Sequence, residues 1–392
     1  MEGYRKMLRR FALGSLALLL IWPHWTMAAP TGVQTSAEAA ALVDVTSGRL
    51  IVSKNGDKQM RIASLTKIMT AIVAIEHGTL SDQVEVSGRA AGKEGSSIYL
   101  RAGEKMSLEN MLYGLMLRSG NDAATAIAEH VGGSLEGFVY LMNETAELAG
   151  MTRSQFKNPS GLDEEGHYST ASDMAKLTAY ALRNPVFRDI VKTKTKSAPN
   201  PHEDWDYTWM NKNKMLSIYE GADGVKTGYT KLAKRCLVSS ATREGQQIAV
   251  VTLNDPNDWL DHKKLLDYGF ANYPLRDLVH RGDKIENLPV AVGRTFSYPL
   301  YEEESGLIRK EAVLLDPAAS EYRLGERGTL FFYLSGTPIG SVPLYAEGSP
   351  RLEAKDRSAF SFRESDKYRV TGLGLWQQTL KETVRRLFVL SE

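Results

Sequence analysis

The apolar positions change their period several times along the chain, and each change predicts an element. Two short β-rich runs, 42–45 and 50–52, flank Thr46-Ser47-Gly48 and predict a hairpin. From Ser64 to about His77 the residues Leu65, Ile68, Met69, Ile72, Val73 and Ile75 form one broad apolar face, the period of a helix. Ser107 is placed to cap a second helix, whose stripe is Leu108, Met111, Leu112, Leu115 and Met116. That helix should end at Arg118-Ser119-Gly120-Asn121, with Asp122 capping an Ala-rich third helix, so Ser119 and Asn121 fall in a tight inter-helix loop. After Gly224 the texture turns to three successive strands, 225–230, 236–242 and 248–253, with short connections that predict an antiparallel meander. A helix over 259–268 follows. Between residues 284 and 346 only short β-prone segments remain (288–292, 312–315, 329–334 and 340–344), the pattern of a small all-β domain.

The two ends have patterns of their own. Arg5, Lys6, Arg9 and Arg10 precede an apolar run of 12 residues, Phe11 to Trp22, followed by the small-x-small signal Thr26-Met27-Ala28. The run is too short for a membrane span, which needs roughly 20 residues, and the layout is that of a signal peptide cleaved after Ala28. At the other end Leu373, Trp376, Leu380, Val384, Leu387 and Phe388 recur at three- and four-residue steps around Lys381, Arg385 and Arg386. This is an amphipathic helix suited to lying in a membrane interface. The expected organisation is a signal peptide over 1–28, a catalytic domain over 29–278, a β-rich domain over 279–370 and an anchoring helix over 371–392. The expected location is the extracytoplasmic face of the cell membrane.

Composition narrows the function classes. The 392 residues carry 48 basic and 47 acidic side chains, a formal net charge of +1, which argues against a nucleic-acid partner. Removing residues 1–28 takes away four basic residues and Glu2, a net +3, and leaves −2. With 43% hydrophobic and 24% charged residues, a multi-span membrane protein and extensive disorder are excluded. The single Cys236 rules out an intramolecular disulfide and a thiolate metal cluster, the seven His residues are scattered, and no metal or other cofactor is expected.

Three short motifs carry candidate chemistry: Ser64-Leu65-Thr66-Lys67, Ser119-Gly120-Asn121 and Lys226-Thr227-Gly228. Each alone is weak, and Ser154-Gln155-Phe156-Lys157 also fits the first pattern, but a loop sequence, Asn158-Pro159-Ser160-Gly161, follows it at once. Ser64 instead opens a long helix, which puts Lys67 one turn on and on the same face. A serine hydroxyl needs a base within hydrogen-bond reach, and a neutral Lys67 amine would serve. Burial and a second cation, for which Lys226 is the candidate, would both favour the neutral form. The Ser64 N–H at the helix start and the Tyr229 N–H on the following strand are the candidate donors to a developing oxyanion. Gly228, without a side chain, lets a substrate approach that strand and pair with it, presenting a carboxylate to Lys226 and Thr227.

Through these three motifs the chain resembles the penicillin-recognising serine enzymes, a motif set that is already a named pattern of serine acyl-transfer enzymes. Within them it resembles the low-molecular-mass D-alanyl-D-alanine carboxypeptidases of peptidase family S11. The likeness rests on the fuller wording Ile62-Ala63-Ser64-Leu65-Thr66-Lys67-Ile68-Met69-Thr70, Leu117-Arg118-Ser119-Gly120-Asn121-Asp122, Phe156-Lys157-Asn158-Pro159-Ser160-Gly161-Leu162 and Asp223-Gly224-Val225-Lys226-Thr227-Gly228-Tyr229-Thr230. The resemblance implies an α+β fold: a penicillin-binding-protein and β-lactamase-like transpeptidase domain, an antiparallel sheet with helices, then a small all-β domain and a C-terminal amphipathic helix. It implies that Ser64 forms an acyl-enzyme, Lys67 takes its proton and Ser119 relays protons to the leaving amine. Asn121 would bind the substrate amide, and Lys226 with Thr227 the terminal carboxylate. The implied partners are peptidoglycan stem peptides, β-lactams as inhibitors and the membrane surface. Glu129-His130-Val131-Gly132-Gly133-Ser134 and Asn254-Asp255-Pro256-Asn257-Asp258-Trp259 are similar to the sporulation-associated carboxypeptidases of endospore-formers, which implies work on spore cortex. Many relatives carry an Arg near the latter stretch; none stands there in this chain, and Arg235 is the candidate replacement. The rival readings are a β-lactamase, although no Glu-x-x-Leu-Asn segment lies between Asn121 and Lys226, and a catalytically silent penicillin-binding sensor.

Overall fold

The computed structural model describes residues 33–353. The expected signal peptide, the anchoring helix and the end of the expected β-rich domain lie outside the described residues. Among the described residues no helix is long and apolar enough to cross a membrane.

A five-stranded antiparallel sheet organises the first part. Its strands are β1 (Ala39–Asp44), β2 (Leu50–Lys54), β3 (Ala222–Thr230), β4 (Lys234–Arg243) and β5 (Gln246–Leu253), in the order β2-β1-β5-β4-β3. The predicted hairpin and meander are both present, and β1 joins them by pairing with β5, Leu42 opposite Val250. Every residue of β1 is buried, because the sheet is covered on both faces. Side chains of a strand alternate between faces. Ala39, Ala41 and Val43 accordingly join one core with Val238, Ala249 and Val251, while Ala40 and Leu42 join another with Leu237, Ile248 and Val250.

The helices divide between those faces. The first core takes α1 (Thr66–His77), α2 (Leu108–Tyr113), α3 (Asn121–Gly132), α4 (Leu135–Leu148) and α5 (Ala171–Leu182). The second takes Leu265 and Leu266 of α6 (Asp258–Asn272). Gly269 lets α6 approach closely, since a Cβ there would come within 2.8 Å of Ile248 and 2.9 Å of Leu42. Ser107 caps α2 as predicted, its side chain accepting from the Asn110 N–H. The helix then loosens into a π-helical stretch, Gly114–Arg118, that ends in left-handed Ser119. Asp122 does not cap α3. The cap is Gly120, and Asp122 sits in the first turn, where its buried carboxylate accepts from the Ser97 hydroxyl and the N–H groups of Ile98 and Leu100.

The second part is β-rich. Strands β6 (Leu275–Val279) and β8 (Phe296–Pro299) pair with each other. A four-stranded sheet holds β7 (Val290–Val292), β9 (Ile308–Leu314), β10 (Glu326–Leu334) and β11 (Thr337–Ala346), in the order β7-β11-β10-β9. Its core is Val290, Val292, Leu330, Phe332, Val342 and Leu344. The β1–β2 turn is tied to this part by Arg49, which donates to Glu304 at 2.5 and 2.9 Å and to the Pro299 carbonyl at 2.6 Å. The same guanidinium lies over the rings of Tyr273 and Tyr298.

Candidate active site

Ser64 belongs to a single 3-10 turn, Ala63–Leu65, that runs directly into α1. Ala63 holds a φ of +47°, a conformation that costs a non-glycine residue free energy and persists only where neighbours enforce it. The neighbours are identifiable. Gly161, itself at φ +81°, lies so close that a Cβ there would come within 1.9 Å of the Ala63 carbonyl. The Thr66 hydroxyl donates to that carbonyl at 2.9 Å. His167 accepts from the Lys157 N–H through Nδ1, so its proton sits on Nε2 and is donated to the Thr66 hydroxyl. Burial pushes His167 down to about 4 and keeps it neutral.

Lys67 is fully buried and surrounded by acceptors: Asn121 Oδ1 at 2.7 Å, the Ser160 carbonyl at 2.6 Å and Ser64 Oγ at 3.1 Å. Burial, then the charge of Lys212, lower its pKa to about 7, against an opposing pull from Asp122. A neutral amine has two hydrogens and one lone pair. In that form the two shorter contacts take the hydrogens, and the lone pair is free to accept from the Ser64 hydroxyl 3.1 Å away. The arrangement can therefore activate Ser64. Lys212 is a cation acting on Lys67 that the motifs did not suggest. Lys226 is itself buried, donates to the Thr227 carbonyl at 2.9 Å, and is pushed well below the usual lysine range by burial, Lys67 and Lys212.

Edge strand β3 closes the site. At Gly228 a Cβ would stand 3.2 Å from the Ser64 nitrogen, so the strand packs directly on the nucleophile turn. A cleft of about 420 Å³ opens there, bordered by Ser64, Ser119, Thr227, Gly228 and Tyr229. Lys67, Asn121 and Lys226 are buried and do not line it. Both heteroatoms of the Asn121 side chain are engaged, since Nδ2 donates to the Glu94 carbonyl at 2.7 Å while Oδ1 accepts from Lys67. Arg235 also reaches the cleft, but Asp258 holds it in two hydrogen bonds of 2.6 and 3.1 Å. Ser154 of the coincidental Ser-x-x-Lys pattern bonds to Ser169 and Asp173 instead.

Sequence reasoning missed Ser160, His167 and Lys212. Ser160 acts through its carbonyl, which any residue would supply, so only the family-like wording Asn158-Pro159-Ser160-Gly161 marked that loop. His167 had a weak signal as a His in the same stretch of chain. Lys212 had none.

An antiparallel sheet between helical layers, with a serine beside a buried lysine and a glycine-bearing edge strand, defines a serine acyl-transfer enzyme of the penicillin-interacting type. The profile of peptidase family S11, described as D-alanyl-D-alanine carboxypeptidase, matches residues 25–257. The chain is 34% identical over 357 residues to the D-alanyl-D-alanine carboxypeptidase DacF of Bacillus subtilis, covering 84% of this chain and 91% of that protein. Among solved structures it is similar to penicillin binding protein 5 from Haemophilus influenzae, with 27% identity, a TM-score of 0.66, and 81% and 98% of the two chains covered. It is also similar to DacD from Francisella tularensis, with 26% identity, a TM-score of 0.63, and 82% and 95% covered. The chain belongs to the S11 family of serine-type D-alanyl-D-alanine carboxypeptidases.

Proposed function

We propose that the protein removes the terminal D-alanine from peptidoglycan stem pentapeptides through an acyl-enzyme on Ser64. Neutral Lys67 takes the hydroxyl proton as Ser64 Oγ attacks the carbonyl of the penultimate residue. The oxyanion is held by the N–H groups of Ser64 and Tyr229. The peptide lies along β3 as an added strand, its amide facing Asn121, whose remaining Nδ2 hydrogen is the donor. Lys226 and Thr227 hold the terminal carboxylate, and a carboxylate at that point favours the charged form of Lys226. Ser119, at the rim of the cleft in its left-handed turn, passes the proton from Lys67 to the leaving amine. D-Alanine departs, and water then attacks the ester with Lys67 again as base.

The observation that carries this reading is the position of the buried Lys67 amine, 3.1 Å from Ser64 Oγ, with Asn121 Oδ1 and the Ser160 carbonyl placed to accept the hydrogens of its neutral form. We place the enzyme outside the cytoplasm, exported by residues 1–28 and held on the membrane by 371–392. The wording of residues 129–134 and 254–259, similar to sporulation-associated carboxypeptidases, supports limiting cross-links in spore cortex as its setting. Two measurements test the activity. D-Alanine should be released from a pentapeptide much faster than penicillin is hydrolysed, and the reverse ratio would make the protein a β-lactamase. Labelled penicillin should map to Ser64, and label on another residue would sink the assignment.

A further inference from the structure

The charges around the cleft do not balance. Lys212 lines it beside Ser96 and Ser119, and its charge is felt by the buried Lys67 and Lys226 behind. The acidic side chain at its border, Asp258, is taken by Arg235. Lys226 is buried, which disfavours its charged form. Lys212 is exposed, and no ion pair ties it to a carboxylate among the described residues. Its ammonium has the Ser96 hydroxyl at 3.5 Å.

Lys212 is also held in place. Its N–H donates to the Leu117 carbonyl, two residues before Ser119. On one side Asn211 donates to the carbonyls of Val191 and Thr193, and on the other Asn213 is buried and accepts from the Met215 N–H. A long cation on a backbone fixed by its neighbours loses less freedom when it meets an anion.

We infer that Lys212 is a further substrate-binding residue, pairing with the carboxylate of the departing D-alanine beside Lys226 and Thr227. That carboxylate sits one carbon beyond the scissile nitrogen and so must lie close to the Ser64–Lys67 pair, at the cleft that Lys212 lines. Lys212 supplies charge at the cleft wall that draws the anion in, and the anion in turn favours the charged form of Lys226. Arg235, neutralised by Asp258, is not the group that reads it.

The inference rests on the carboxypeptidase reading, and the test separates the two. Lys212→Gln and Lys212→Arg are compared with the parent on a peptide ending in D-Ala-D-Ala and on the same peptide ending in the carboxamide. Lys212→Gln should lower kcat/KM for the carboxylate roughly 10–100-fold, the size of a charge-assisted hydrogen bond, chiefly through KM. The carboxamide should change less than about twofold, and Lys212→Arg should recover most of the loss. Equal loss on both peptides, or no loss on the carboxylate, overturns the role of Lys212. If the parent releases no D-alanine, the functional reading fails instead. The role of Lys212 is then decided by acylation with benzylpenicillin and with its methyl ester, where the variant should be slower on the free acid alone.

Discussion

Replacing Lys67 by Met removes the amine but keeps most of the side-chain volume, and it separates chemistry from stability. Holding the Lys67 pKa at about 7 instead of its ordinary 10.5 corresponds to about 5 kcal/mol by which the fold disfavours the ammonium. The folded-state value is the lower one, so this penalty is fully present below pH 7 and fades as pH rises from 7 towards 10.5. Met removes the penalty but leaves Asn121 Oδ1 and the Ser160 carbonyl without their donor, at about 1–3 kcal/mol each. The two effects nearly cancel, and at pH 6 the variant should melt within a few degrees of the parent. Acylation should behave otherwise, because a positioned base contributes roughly 10²–10⁴-fold. The parent should show an acid limb centred at about pH 7, since protonation there removes the lone pair. At pH 5 about 1% of Lys67 is neutral, so acylation should be on the order of fifty-fold slower than at pH 7. Stopped-flow acylation by a fluorescent penicillin from pH 5 to 9, with melting curves alongside, reads both. Near-parental acylation in Lys67→Met, or the same inflection at pH 7 in that variant, would refute Lys67 as the base.

Other perturbations probe the supports of the site. Gly161→Ala drives a methyl group into the Ala63 carbonyl and puts alanine at φ +81°; it should cost about 1–3 kcal/mol in urea unfolding and slow acylation more than tenfold, and an unchanged acylation rate would show that the turn does not depend on that contact. Arg49→Met removes a largely buried ion pair and two ring contacts far from Ser64. It should lower stability by about 2–3 kcal/mol with D-alanine release intact, and a change below about 0.5 kcal/mol would mean the pair holds nothing. His262, buried between Ser239 and Thr252, is lowered to about 3 mainly by burial. Its folded value lies below the unfolded one, so stability should fall as pH drops from about 6.5 towards 3, by up to about 5 kcal/mol from this group. His262→Gln should flatten the decline of Tm between pH 6 and 4, and an unchanged slope would assign the acid sensitivity elsewhere.

Much of this was legible along the chain. The hairpin, the meander, the Ser107 cap and the loop carrying Ser119 follow from local patterns, because a strand's period, a helix's stripe and a cap are properties of neighbouring residues. The three motifs were legible for the same reason, each being a few residues with side-chain chemistry. Asp122 shows the limit: an acid after a Ser-Gly-Asn turn looks like a cap, yet its carboxylate is used across space to hold Ser97, Ile98 and Leu100.

By itself, then, the sequence determined which side chains could do acyl transfer and on which kinds of element they stand. The tertiary structure decided that Lys67 can be neutral. That property belongs to the Ser160 carbonyl, the Asn121 amide, the depth of burial and the charge of Lys212, which are 93, 54 and 145 residues away or spread over the whole core. A backbone carbonyl is present in every residue and a surface lysine in almost every protein, so neither leaves a mark in a string of letters. Their effect on a proton depends on distance and on the water that folding removes.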